Sequence, residues 1–117
     1  MGVMVYGIAN CDSVKKVRVW LDAQHVAYTF HDYKKQGVDE AELQRWVAAK
    51  GWPTVLNCKG TTWRALDEAV KAGVVSDASA IAVMLANAST IKRPVVTCGD
   101  TIIVGVDFVA LSALAAL

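Results

Sequence analysis

In this chain of 117 residues, one cysteine, two arginines and a pair of lysines have types and settings that bear chemistry. Cys11 sits in Asn10-Cys11-Asp12-Ser13, after an apolar run that ends at Ile8 and before a basic amphipathic segment that begins at Val14. The pattern predicts strand, loop and helix, with the thiol at the helix N-terminus. Unpaired backbone N–H groups and the helix dipole there favour a thiolate, the form in which sulfur is a nucleophile. Lys15 and Lys16 push the same way, whereas Asp12 opposes if its carboxylate turns inward. The plain alternative is a small buried hydrophobe, since free cysteines are often buried. A polar turn argues against that.

Arg93-Pro94 is the second feature. Pro94 opens a β-rich run, a place open to proline at a strand's first position or edge, and the Arg93–Pro94 bond is a candidate for the cis form. A guanidinium there can stabilise a thiolate or hold a carboxylate or oxyanion bidentately. The alternative is a solvated arginine following Lys92. Arg64, in Gly60-Thr-Thr-Trp-Arg64, follows a predicted helix N-terminus that could hold an anion. An ordinary helix-surface arginine fits the same residues. His25 and His31 are too few and wrongly spaced to bind a metal with these cysteines, so no metal site is expected. Cys58 and Cys98 read as bystanders rather than resolving thiols. No P-loop, GxGxxG, GxSxG or HExxH pattern occurs.

These residues need elements to position them. Val3–Ile8 is rich in β-branched and aromatic residues and predicts a buried strand, with Gly7 allowing close backbone approach. Asn10, Asp12 and Ser13 are candidate N-caps for a helix running to about Ala23, with Val14, Val17, Trp20 and Leu21 inward. Val26–Tyr33 alternates as a half-buried strand. Asp39 with Glu42 opens a helix that Gly51 ends, and Trp52–Asn57 suits one further turn. Thr61 or Thr62 would cap a short helix through Trp63, Leu66 and Val70 that stops at Gly73. Asp77 would cap another, burying Ala80, Ile81, Met84, Leu85 and Ala88. Pro94–Thr97 and Thr101–Val104 flank Cys98-Gly99-Asp100, a hairpin signal. Asp107 would cap a last helix with Phe108, Leu111, Leu114 and Ala115 inward. Trp20, Trp46, Trp52 and Trp63 fall on apolar helix faces and are expected mostly in the core.

Composition sets limits. Hydrophobic residues make up 55% and charged residues 20%, which predicts a folded globule rather than disorder. A net charge of +1 gives no whole-chain reason to expect nucleic acid or an anionic membrane as partner. Residues 1–9 lack a charged leader, and Phe108–Leu117 is about half a membrane span, so neither export nor a membrane anchor is expected. Three cysteines without CxxC point to reduced thiols and a cytoplasmic location.

The order β-α-β, a helical insert at about 38–90, then β-β-α predicts one α/β domain over 1–117, with a mixed four-stranded sheet. That is the thioredoxin-like arrangement, which places its redox centre between the first strand and first helix. Arg93 and Pro94 would then lie beside the Cys11 turn.

The residues also resemble a known family. Gly7-Ile8-Ala9-Asn10-Cys11-Asp12-Ser13-Val14-Lys15-Lys16, His31-Asp32-Tyr33-Lys34-Lys35, Gly51-Trp52, Asn57, Gly60-Thr61-Thr62-Trp63-Arg64 and Lys92-Arg93-Pro94-Val95-Val96 are similar to the arsenate reductase/Spx family, above all to its YffB-type branch. The resemblance covers essentially the whole chain. It implies a thioredoxin-like fold, a cysteine nucleophile at Cys11, and Arg64 and Arg93 as anion-binding arginines. Two departures bear on function. Arsenate reductases of this type carry a third arginine after the hairpin, where Ile102–Val106 has none and Gly105 lies roughly in its place. Losing one of three cations around an oxyanion weakens binding by about a kcal/mol or more. The Spx regulators typically carry CxxC, and here Val14 stands in place of the second cysteine.

A single cysteine cannot complete a dithiol cycle, so a mixed disulfide on Cys11 needs an external thiol. Glutathione suits this role, because its carboxylates match Arg64 and Arg93. The expected function is a glutathione-dependent thiol reductase in which Cys11 is the nucleophile. Lys15, Lys16 and Arg93 would tune the thiolate, and Asn10 and Pro94 would support the turn. No bound cofactor is expected; glutathione or another small thiol, with glutaredoxin, would be the partners. Arsenate reduction and a non-catalytic Spx-like interaction module are the alternatives.

Overall fold

The computed structural model describes residues 2–116, which fall into two compact units. One joins the stretch up to Gln36 with the stretch from Arg93 onward; the other is Gly37–Lys92.

The first unit holds the sheet. Strand β1 (Val3–Gly7) pairs in parallel with β2 (Tyr28–Asp32) and antiparallel with β3 (Val95–Cys98), and β3 pairs antiparallel with β4 (Thr101–Val104). The order is β2-β1-β3-β4, the mixed four-stranded sheet of a thioredoxin-like fold. Helix α1 (Asp12–Ala23) connects β1 to β2, and α8 (Phe108–Ala115) follows β4. Val5, Val17, Leu21, Val96, Ile103, Leu111 and Leu114 form one buried cluster from the sheet and these two helices. Each such side chain contributes roughly 1.5–3 kcal/mol on burial, so the α1 stripe at 14, 17 and 21 holds that helix on the sheet.

Gly7 is where close approach is needed. A Cβ there would lie 2.6 Å from Cγ2 of Val14, a fully buried side chain in the first turn of α1. The end of β1 and the start of α1 therefore meet with no room for a methyl group.

Several boundaries differ from the sequence expectation. Cys11 itself, not Asn10, Asp12 or Ser13, takes the N-cap position of α1. The second strand starts at Tyr28 and yields at Tyr33 to a one-turn helix, α2 (Tyr33–Gln36), because Asp32 turns its carboxylate onto the N–H groups of Lys34 and Lys35. Strand β3 begins at Val95, and Pro94, which has no N–H to give, stays outside the ladder. The β3–β4 turn is closed by Gly99 at φ +58°, a backbone that favours glycine. Asp107 caps α8 as expected, its carboxylate accepting from the Ala110 N–H, but Phe108 is 41% exposed rather than inward.

The second unit is helical: α3 (Glu40–Lys50), α4 (Trp52–Val55), α5 (Thr61–Arg64), α6 (Glu68–Ala72) and α7 (Asp77–Ala86). Leu43, Trp46, Val47, Val55, Leu56, Ala80, Met84 and Ile91 are its main buried residues. Asp39 caps α3 through the Ala41 N–H, whereas Glu42 pairs with Arg45 instead of closing a box. The single helix expected from Thr61 to Gly73 is two short ones, because the chain turns out of the helix after Arg64 and Asp67 takes the N-cap of α6. Gly60, not a threonine, is the N-cap of α5. Ser76, not Asp77, caps α7 in a reciprocal box with Ser79. Of the four tryptophans only Trp46 is fully buried; Trp20, Trp52 and Trp63 are half-buried. Ile81, Leu85 and Ala88 are also half-buried.

Candidate active site

Strand directions decide which residues meet. β1 runs parallel to β2 and antiparallel to β3, so the C-terminal ends of β1 and β2 share one end of the sheet with the start of β3. The register sets Gly7 beside Asp32 and Tyr6 beside Val95. The Cys11 loop, the Asp32–Tyr33 turn and Arg93-Pro94 therefore leave the sheet at the same end.

Cys11 is half-buried, with extended backbone (φ −146°, ψ 123°). Its carbonyl accepts the first helical bond from the Lys15 N–H at 2.9 Å, while its side chain makes no capping bond. A thiol is a poor acceptor, so the first-turn amides of α1 keep their capacity for an anion. The sulfur stands at the end of a 12-residue helix where the dipole favours negative charge. Asn10, Lys15 and Lys16 are exposed.

Arg93 is half-buried and joined to Pro94 by a cis peptide bond. Its position shows in Tyr33: burial pushes that phenol well up, and the Arg93 guanidinium pulls it the other way. The Pro94 carbonyl accepts from the Gly105 N–H at 2.8 Å. Gly105 is buried at φ +83°, a conformation that suits glycine, and its N–H sets it beside Pro94. Val14, in the place of a CxxC partner, is packed under Gly7.

Arg64 belongs to the other unit. It ends the four-residue α5 and is exposed; its N–H donates to the Gly60 carbonyl, and its carbonyl accepts from Lys71 Nζ. Asn57 orders the loop before it, with Oδ1 accepting from the Lys59 N–H and the backbone N–H donating to the Thr90 carbonyl. The structure thus brings Cys11, Arg93 and Pro94 to one end of one sheet and sets Arg64 on the separate helical unit.

One residue escaped the sequence reading. Asp32 is buried, and its Oδ2 accepts from the Ala9 N–H at 3.4 Å while Oδ1 accepts from Lys34 and Lys35 N–H at 2.9 and 3.2 Å. Burial of this carboxyl works to raise its pKa. The backbone N–H groups of Lys34, Lys35 and Ala9 and the charge of Lys35 outweigh that and hold it below the ordinary value. An ionised carboxylate thus ties the loop before Cys11 to the turn after β2. The available signal was a lone Asp closing a strand pattern just before Tyr33-Lys34-Lys35.

Of the other thiols, Cys98 stands apart from this end. Cys98 pairs with Val3 at the far end of β1, a strand length of roughly 13–17 Å from the Gly7 side, well beyond the ~7 Å reach of a disulfide. Cys58 is exposed in the helical unit.

Residues 6–111 match the ArsC family. This chain belongs to that family. It is 51% identical to the YffB protein of solved structure, with a TM-score of 0.91 over 95% of this chain and 96% of that one. The solution structure of an arsenate reductase (ArsC) related protein from Brucella melitensis is 44% identical, with a TM-score of 0.75 over 100% of this chain and 97% of that one. An uncharacterized protein of Haemophilus influenzae is 37% identical over 103 residues, 88% of this chain and 90% of that protein. Among the described residues no helix is long and apolar enough to cross a membrane.

Proposed function

We propose that the chain is a glutathione-dependent thiol reductase working in the cytoplasm, with Cys11 as its nucleophile. The carrying observation is the placement of Cys11 as uncapped N-cap of α1 at the sheet end that also holds Arg93, with Cys98 at the opposite end. ArsC-family membership and the arsenate reductase related neighbour support thiol-based reduction as the kind of chemistry.

The Cys11 thiolate attacks one sulfur of a disulfide, forming a mixed disulfide and releasing the other sulfur as a thiolate that takes up a proton. A glutathione thiolate attacks the Cys11 sulfur and expels the second substrate thiol, leaving glutathione on Cys11. A second glutathione attacks the glutathione sulfur, restoring the Cys11 thiolate and leaving oxidised glutathione. Two electrons pass from two glutathiones to one disulfide. Arg93 stabilises the thiolate or a glutathione carboxylate, Arg64 offers a second carboxylate contact, and Lys15 and Lys16 add positive charge along α1. Asn10 and Pro94 shape the turn. A glutaredoxin could take the place of the last glutathione.

Incubation with oxidised glutathione, followed by intact mass, should give one adduct per chain that is absent in Cys11→Ser. An adduct that persists in Cys11→Ser would overturn the assignment. Arsenate turnover with glutathione and glutaredoxin would instead assign the site to arsenate, a reading in keeping with the Brucella neighbour's description as arsenate reductase (ArsC) related.

A further inference from the structure

Among the described residues, the exposed large hydrophobics of the sheet unit lie on α1 and around the start of α8: Val19, Val106, Phe108 and Val109, of which Val19 is 66% exposed and Phe108 41%. Between them runs an apolar groove of about 810 Å³ lined by Val19, Trp20, Ala23 and Phe108, with Asp12, Lys15 and Lys16 at the end nearest Cys11. Trp20 and Phe108 pack at a tilt of 37° with ring centroids 5.9 Å apart, which gives the groove an aromatic wall. The floor follows from helical spacing, since Lys15, Val19 and Ala23 form one i, i+4 ridge and Lys16 and Trp20 the next. Burying Val19 and Phe108 further would be favourable, since both stay exposed. Neither lysine has an ion pair among the described residues.

We propose that this groove docks an acidic, apolar segment of the protein whose disulfide Cys11 exchanges. The proposal rests on the reading of Cys11 as the exchanging thiol. Charge selects the occupant: two lysines against one aspartate favour carboxylates at the Cys11 end, and the groove beyond favours an aliphatic or aromatic side chain. Distance sets its spacing. Val19 is eight residues along the helix from Cys11, roughly 12 Å at 1.5 Å per residue, which an extended segment spans in about four residues. The fitting segment has a bulky apolar residue about four positions from its cysteine and glutamates or aspartates between.

The chemistry is the first step above: Cys11 thiolate joins the segment's sulfur, and the other half of the disulfide leaves as a thiolate and is protonated. The test uses the full chain and a synthetic peptide of that design, a Leu and a Cys four residues apart with Glu between, supplied as its disulfide-linked dimer. Controls carry Lys for Glu, or Ser for Leu. Adduct formation on Cys11, timed by intact mass, should be about tenfold or more faster with the acidic apolar peptide than with either control. Val19→Gln should erase the preference for Leu over Ser while leaving the rate with oxidised glutathione unchanged. Lys15→Gln/Lys16→Gln should bring the acidic-to-basic rate ratio to about one.

Equal rates for all three peptides would overturn the proposal and leave the reductase reading intact. Should Cys11 react with no disulfide at all, the reductase reading falls. The groove is then tested by amide NMR shifts at Val19, Trp20 and Phe108 on adding the peptide with Ser for Cys, and shifts elsewhere or nowhere would overturn it. A concentration-dependent dimer dispersed by Val19→Gln would overturn it too, giving the groove to a second copy.

Discussion

Arg93 and Arg64 carry the same charge on two differently built supports. Arg93 leads into a strand that is paired on both sides, to β1 and to β4, and its guanidinium is felt by the buried phenol of Tyr33. Arg64 ends a four-residue helix whose N-cap is a glycine, on an exposed surface. A ladder fixes position by bonds between segments far apart in sequence, whereas a single helical turn fixes little beyond its own backbone. The contrast teaches that the sheet unit can hold a charge at a set place, while the α5 turn can only offer one.

The largest effect should separate the two arginines. Arg93→Ala should lower kcat/KM for glutathione-dependent reduction by about ten- to a hundredfold, as for loss of a charge-assisted hydrogen bond. Arg64→Ala should cost only about two- to fivefold, in line with an exposed ionic contact. Equal losses in steady-state kinetics would break the comparison.

Next comes the tight junction that sets α1 on β1. Gly7→Ala should destabilise the chain by about 1–3 kcal/mol in urea unfolding, because Val14 is β-branched, buried and cannot move aside. With Val14→Ala added, the combined loss should be smaller than the sum of the two single losses. Additive losses would mean that the contact is not what limits position 7.

The smallest effect is confined to acid pH. The folded Asp32 pKa lies below its unfolded value of 3.8, so its ionised form stabilises the fold above that pH. That contribution is lost as pH falls through the folded value. Melting temperatures should therefore show Asp32→Asn below the natural chain at neutral pH, with the gap narrowing under acid. A gap that stays constant would assign Asp32 a packing role with no charge in it.

Much of this was legible in the sequence, for physical reasons that differ by region. β-branched and aromatic content for β1, alternation for β2 and the Gly99-Asp100 turn for the β3–β4 hairpin located the strands within a residue or two. Cys11 stood out because a strand, a polar turn and an amphipathic helix follow one another around it. The caps did not, since Asn10, Asp12 and Ser13 compete on equal chemical terms and the backbone dihedrals decide. The break between α5 and α6 hid for a similar reason, as Trp63, Leu66 and Val70 keep a helical spacing across a stretch where the chain leaves the helix. Asp32 could not be found as a tether, because its partner Ala9 lies 23 residues away. Phe108 shares a helical spacing with Leu111 and Leu114, and only the packing of α8 shows that those two fill the core without it.

The antiparallel partner of β1 is made long after it, with the whole helical unit in between. Val3 waits for Cys98, and Tyr6 for Val95, while β2 is at hand soon after α1. During synthesis the ribosome adds roughly eighty residues between Cys11 and Arg93, roughly 4–16 s at ~5–20 residues/s. For those seconds the nascent chain carries its thiol with one flank of the central strand bare and without the arginine that shares its end of the sheet. The order of translation thus brings Arg93 to the Cys11 end of the sheet only after the helical unit Gly37–Lys92 has been made.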